Sequence, residues 1–277
     1  MRRHPGLLVA LHALCFWPVW RWFAERLDDG SDEPWAIVAL LAAVLLSWPR
    51  QGFKLDWRDP LLIGATVLTL VYAATAPFAP PLVRAVVAMA ALACNWVSIS
   101  GSRDRWPAIA GLMLLSVPVI ASLQFYAGYP LRVVTASGAT ELLNIFGLDV
   151  TRAGTSMSMG GRTVLVDAPC SGVRMLWTGA LLCCVLAAMR RAISWGAMSS
   201  LLAAVLPVVL LSNVVRAALL FLIETRPAPT SSALHAEVGV LTFILAAALV
   251  VACDHLQQRW SRSKRSSSAP IRLGVQP

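Results

Sequence analysis

Residues 235–255, HAEVGVLTFILAAALVVACDH, decide the class of this protein, because no charged side chain stands between Glu237 and Asp254. A helix needs about 20 apolar residues to cross roughly 30 Å of hydrocarbon, and this run has that length. Working outward, seven further apolar runs are bounded by charges, Pro or Gly: Leu7–Ala24, Trp35–Trp48, Pro60–Phe78, Pro81–Ile99, Trp106–Ala127, Cys170–Met189 and Trp195–Ile223. The second is short for a full crossing, and the seventh is long, with Pro207 in its middle. The composition agrees: of 277 residues, 58% are hydrophobic and only 13% charged, with a mean hydropathy of +0.69. A water-soluble globule, a disordered chain and a disulfide scaffold are all excluded by those values.

The net charge of +9 and pI near 10.0 would suggest nucleic acid in a soluble protein. Eight crossings with a cytoplasmic N-terminus explain it without one. Fourteen Lys and Arg then fall inside, in clusters at Arg2–Arg3, Arg50–Arg58, Arg103–Arg105, Arg190–Arg191 and the tail, whereas Arg26, Arg132, Arg152, Arg162 and Arg226 fall outside. Leu7–Ala24 is read as a retained first span and not a signal peptide, since it carries His12 and Arg21 and lacks a small-x-small cleavage site. The tail from Gln257 is basic and Ser-rich, and is expected to be disordered against anionic headgroups.

Residues 128–169 form the one connection long enough for structure of its own. Leu131, Val134, Leu142, Leu143, Ile145, Phe146 and Leu148 recur at helical spacing and suit an interfacial helix; after them Gly160–Gly161 separates two short runs, and Thr163–Val166 reads as a strand. The expectation is an all-α membrane protein of about eight transmembrane helices with a small extracytoplasmic cap between the fifth and sixth spans. Residues 1–127 would hold five N-terminal helices, 128–169 the cap, 170–256 three helices carrying the chemistry, and 257–277 the cytoplasmic tail.

Ionisable residues inside a membrane are costly, so each asks for a reason. Arg21, Arg84 and Asp254 lie near span ends, where side chains snorkel, and His12 and His255 read as structural, His12 as a hydrogen bonder between helices. Cys15, Cys94, Cys183, Cys184 and Cys253 fall in apolar stretches and read as small hydrophobes. Cys170 is different: it stands where the outer loop meets the sixth span, and a helix N-terminus with Arg174 one turn on would lower its pKa. Arg216 follows Trp195 by 21 residues, about 30 Å up the seventh span, with Asn213 on the same face. His235 opens the eighth span, and Gly239 leaves room one turn below. The topology therefore brings Cys170, Arg216 and His235 to one outer face, and a thiol, a cation and a proton carrier are the set that cysteine acyl transfer requires.

The blocks APCSGVR (168–174), NVVR (213–216) and HAEVG (235–239) resemble, in order and placement, the three signature blocks of the exosortase/archaeosortase family. The resemblance implies a multipass membrane cysteine transpeptidase at the bacterial cytoplasmic membrane, with its site facing outside. It implies exported protein substrates bearing a C-terminal motif, a transmembrane helix and a basic cluster, cleaved near the motif, with the acyl group passed to an acceptor. Cys170 would be the nucleophile, Arg216 the essential arginine and His235 the proton-transfer residue, where archaeal relatives tend to carry arginine. Arg174 and Asn213 take supporting roles, tuning the thiol and orienting the site. No cofactor, metal or nucleic acid is implied. Hydrolysis with water as acceptor, a small anion or proton-coupled transporter, and a non-catalytic scaffold are the competing readings. Spans six to eight turn apolar below their outer third, which counts against a transport pathway.

Overall fold

A computed structural model describes residues 5–28, 35–49, 52–225 and 232–267. Arg2, Arg3, Arg50, Arg226 and Arg272, on which part of the charge argument rests, lie outside the described residues. Among those described, ten α-helices and one small sheet are formed, and every one of the eight apolar runs is helical. Helices α1 (Pro5–Cys15) and α2 (Trp17–Asp28) share the first run, followed by α3 (Trp35–Leu46), α4 (Pro60–Thr75) and α5 (Pro81–Ser100). Then come α6 (Trp106–Leu115), α7 (Ile120–Ile145), strands β1 (Thr151–Ala153), β2 (Ser156–Met159) and β3 (Arg162–Leu165), α8 (Val173–Met189), α9 (Trp195–Glu224) and α10 (Ser232–Ser267). Helices α5, α9 and α10 are long and apolar enough to cross a membrane; the bent pairs α1–α2 and α6–α7 make up to five such spans, and α3, α4 and α8 are shorter apolar helices.

The two bends coincide with prolines. Pro18 follows the break between α1 and α2, where the axes turn by 69°, and Pro118 stands in the break between α6 and α7, where they turn by 90°. Proline removes a helix donor and clashes with the turn before it. The second bend corrects two expectations. The fifth run does not end at Ala127; it breaks at Pro118, and α7 runs unbroken through the boundary at 127/128 and through Pro130. The interfacial helix of the cap is therefore the far half of α7. One face of it is buried, with Ala136, Ala139 and Leu143 in one cluster with Ala217, Ala218 and Phe221 of α9, while Val134, Ile145 and Phe146 are exposed.

The expected strand is present and belongs to an antiparallel meander, β1-β2-β3. Met159 pairs with Arg162 around Gly160 and Gly161, whose φ values of 57° and 77° both need a residue without a Cβ in a two-residue hairpin. Met157 and Val166 close the sheet onto the ends of α7 and α9, and Arg162 donates to the Thr225 carbonyl at 3.1 Å.

At the opposite end, α8, α9 and α10 are tied by a polar network. Arg190 pairs with Asp254 and donates to Gln257 at 2.9 Å, and Gln257 in turn donates to the Ala197 carbonyl and the Ser200 hydroxyl. This corrects two readings. Asp254 is buried and ion-paired and does not snorkel, and the chain from Gln257 to Ser267 continues α10, because its first side chains are held by this network. His12 does bond between helices, to Thr69 and Asn95 at 2.7 Å each. Of the five cysteines in apolar runs, Cys94, Cys183 and Cys184 are buried, Cys253 is partly buried and Cys15 is exposed.

Removing one partner of a buried ion pair strands the other charge. Asp254→Ala is expected to cost about 3 kcal/mol, and adding Arg190→Met should recover much of it. Unfolding midpoints of detergent-solubilised protein check both.

Candidate active site

The sequence around Cys170 makes a turn before it makes a helix. Pro169 supplies a fixed φ for the single 3-10 turn Ala168–Cys170, and Gly172 then takes a φ of 86°, so α8 begins only at Val173. That glycine is required twice. Its backbone is left-handed, and a Cβ there would stand 2.9 Å from the Asn213 side-chain nitrogen. Asn213, on α9 and 1% exposed, uses its Nδ2 to donate to the Cys170 carbonyl and to the Thr135 hydroxyl, each at 3.0 Å. Gln124 of α7 clasps the other side of the turn, donating to the Ala168 carbonyl at 2.8 Å and accepting from the Ser171 hydroxyl at 2.9 Å.

Above the turn lies a cavity of about 220 Å³ lined by Cys170, Arg216 and His235 together with Asp167, Glu224 and apolar side chains of β3 and α9. Three of the sequence-derived residues thus meet in one cavity, supplied by three different segments. His235 does not face it unsupported, because its Nε2 is 2.8 Å from the Glu224 carboxylate at the end of α9. Fixing one ring nitrogen on a carboxylate orients the imidazole and leaves Nδ1 as the nitrogen for a reacting proton. Arg216 lies near Gly239 of α10: a Cβ built there would stand 3.9 Å from its Nε and Nη2, at ordinary contact distance. The buried Nε has no hydrogen-bond acceptor among the described residues.

Two expectations need revision. Cys170 is not a depressed-pKa thiol at a helix N-terminus. Burial pushes the thiol above its ordinary value, Arg216 pulls it back, and the carboxylates of Asp167 and Glu224 push it further up. The reason is the turn: α8 starts three residues later, and half-burial under the sheet dominates over a helix end that Cys170 does not occupy. Arg174 lines a different cavity, which shares Arg216 with this one, and Arg216 is the cation that acts on the Cys170 thiol. Asn213, by contrast, holds the Cys170 backbone directly.

Sequence reasoning passed over Glu224 and Gln124. Glu224 stands one residue beyond the end given to the seventh run, in the connection leading to His235, and a carboxylate in that connection was the available signal. Gln124 lies inside an apolar run, and nothing in the sequence singles it out.

Comparison with known families finds the transmembrane exosortases, matched over residues 31–252. No curated protein and no solved structure matches the chain.

Gly172→Ala should displace Asn213 and release the Cys170 carbonyl, costing about 1–3 kcal/mol and slowing Cys170 alkylation or making it heterogeneous. The pH dependence of alkylation reads the electrostatics. The midpoint in wild type is expected above that of a free thiol, Arg216→Gln should raise it further, and Asp167→Asn should lower it. A midpoint insensitive to both variants would contradict the charge arrangement.

Proposed function

Because the chain belongs to the transmembrane exosortase family, a multipass membrane protease or transpeptidase, we propose that it cleaves exported proteins near a C-terminal sorting signal through a Cys170 acyl-enzyme and transfers the acyl group to an acceptor. In this reading α3, α4 and α8 complete eight crossings, both termini face the cytoplasm of a bacterial inner membrane, and the sheet is an extracytoplasmic cap over the site. The substrates carry a short motif, a transmembrane helix and a basic cluster.

The observation that carries the reading is the single cavity shared by Cys170, Arg216 and His235, with Glu224 behind the imidazole. A thiol whose pKa is raised by burial needs a base, and His235 is the imidazole in that cavity. It takes the Cys170 proton as Sγ attacks the scissile carbonyl, while the charge of Arg216 stabilises the oxyanion. Collapse of the tetrahedral intermediate breaks the C–N bond, and His235, its ring oriented by Glu224, gives the proton taken from Cys170 to the leaving amine. The thioester is then attacked by the acceptor, whose proton returns to His235, and the Cys170 thiol is released. Asn213 and Gln124 keep the nucleophile's backbone fixed throughout.

A reporter ending in the native type of signal, expressed with the enzyme in a bacterial membrane, tests this. Cys170→Ala should abolish cleavage, and Arg216→Gln and His235→Ala should each reduce it by at least about 100-fold. The mass of the new C-terminus separates transfer from hydrolysis. Undiminished cleavage in Cys170→Ala would overturn the reading.

A further inference from the structure

The cavity that holds Cys170 is small. At about 220 Å³ it falls below the roughly 300 Å³ of a site that encloses a small molecule, so it admits a peptide bond and one or two side chains, and the rest of a protein substrate lies outside it. Four consecutive residues, Val164, Leu165, Val166 and Asp167, stand on its wall. Side chains of an extended segment alternate between two faces. Val164 and Val166 pack with Met157 in the apolar cluster on the helix side of the sheet, so Leu165 and Asp167 point the other way, and Leu165 is 52% exposed. A cavity bordered by both sets runs along an edge of the strand and not only beneath one face.

The sheet order is β1-β2-β3, so among the described residues β3 has a strand on one side only. The Val166 N–H donates to the Thr155 carbonyl at 2.9 Å, and along an antiparallel pair hydrogen-bonded positions alternate with non-bonded ones. Counting back through the register, Val164 and Arg162 turn their main-chain groups to Met157 and Met159 of β2, whereas Leu165 and Thr163, opposite Ser156 and Ser158, turn their N–H and C=O outward. A row of outward groups is a template for another strand, and β3 contains no proline to spoil it. The strand then runs through Asp167, still extended, into the 3-10 turn of Cys170, so the free edge ends at the nucleophile. The partner that edge fits is set by the chemistry beside it. A scissile carbonyl inside a helix is tied up in an intrahelical bond, so the segment offered to Cys170 must be extended, and an extended segment brings its own row of N–H and C=O groups.

We propose that the substrate binds by strand addition: the residues beside its scissile bond pair main chain to main chain with Leu165 and Thr163 at the free edge of β3, and one of their side chains enters the cavity between Met157, Val164 and Phe221. The proposal rests on cleavage at Cys170 and adds how the chain is held there. Main-chain pairing tolerates any sequence, so Leu165 acts through its N–H and C=O, and selection falls to the side chain that enters the cavity.

The probes are an acetylated Val-Ala-Val-Ala chloromethyl ketone and chloroacetone, which carries the same reacting group without a peptide. Each alkylates the full-length protein in detergent, modification is followed at Cys170 by mass spectrometry, and the ratio of the two rates measures what the peptide backbone adds. A ratio of at least about tenfold is expected from two or more main-chain hydrogen bonds. N-methylation at successive peptide positions should lower the ratio at every second position and spare the others, because alternate N–H groups of an added strand face its partner. Leu165→Pro removes one outward N–H and leaves the bonds to β2, so the ratio should fall about three- to tenfold, whereas Leu165→Ala keeps that N–H and should change it much less. The N-methyl series uses the wild-type protein and decides even where Leu165→Pro does not fold. A loss spread evenly over all N-methyl positions, or no gain over chloroacetone, as an edge already covered by a second copy of the chain would give, overturns the proposal even where Cys170 cleaves its reporter. The alternating pattern together with a reporter that Cys170 leaves uncleaved would uphold the added strand and overturn the reaction instead.

Discussion

The amide of Asn213 is the contact on which the site depends. Buried in the middle of α9, it bridges the hydroxyl of Thr135 on α7 and the carbonyl of Cys170 in the turn before α8. One side chain thereby joins three segments, and a buried amide left without its partners would cost more than the bonds it makes contribute. The geometry around it follows. Gly172 must lack a side chain so that the amide fits, the 3-10 turn must precede α8, and Cys170 is presented to the cavity and not wrapped into the helix. Gln124 supports the same turn from α7, so the backbone around Cys170 is held from two helices.

The opposite end of α8, α9 and α10 carries a comparable constraint in ionic form. Arg190, Asp254 and Gln257 fix the ends of those three helices against one another. With one polar anchor at each end, the apolar stretches between them can be packed with small residues. Gly179, for instance, lies so close to Val209 that a Cβ would meet its methyl at 2.7 Å. Close approach of helices is what brings Arg216 of α9 beside Gly239 of α10. The same guanidinium lines two cavities of different character, one carrying carboxylates and a thiol, the other mostly apolar with a second arginine.

The electrostatics of Cys170 follow from this packing and differ from those of an exposed nucleophile at a helix end. Burial under the sheet pushes the thiol above its ordinary pKa, and the Glu224–His235 pair lines the same cavity.

Much of this protein is determined by sequence alone. Apolar runs of membrane length specify helices because a backbone in hydrocarbon has no other way to satisfy its hydrogen bonds, and all eight runs are helical. Gly160–Gly161 specified a hairpin for an equally local reason, and the candidate residues Cys170, Arg216 and His235 were marked by chemistry that is costly in apolar surroundings. Only the tertiary structure decided the rest, because the deciding contacts join distant residues. Pro118 could have kinked one span or ended it; α7 turns 90° from α6 there, and its Ala136, Ala139 and Leu143 pack with α9. Glu224 gained meaning from the ring of His235 across a connection, Gln124 from a turn 44 positions away, and Arg174 lines a cavity that Cys170 does not. Periodicity and charge report what a segment buries, whereas the partner it meets there is set by how the helices close on one another.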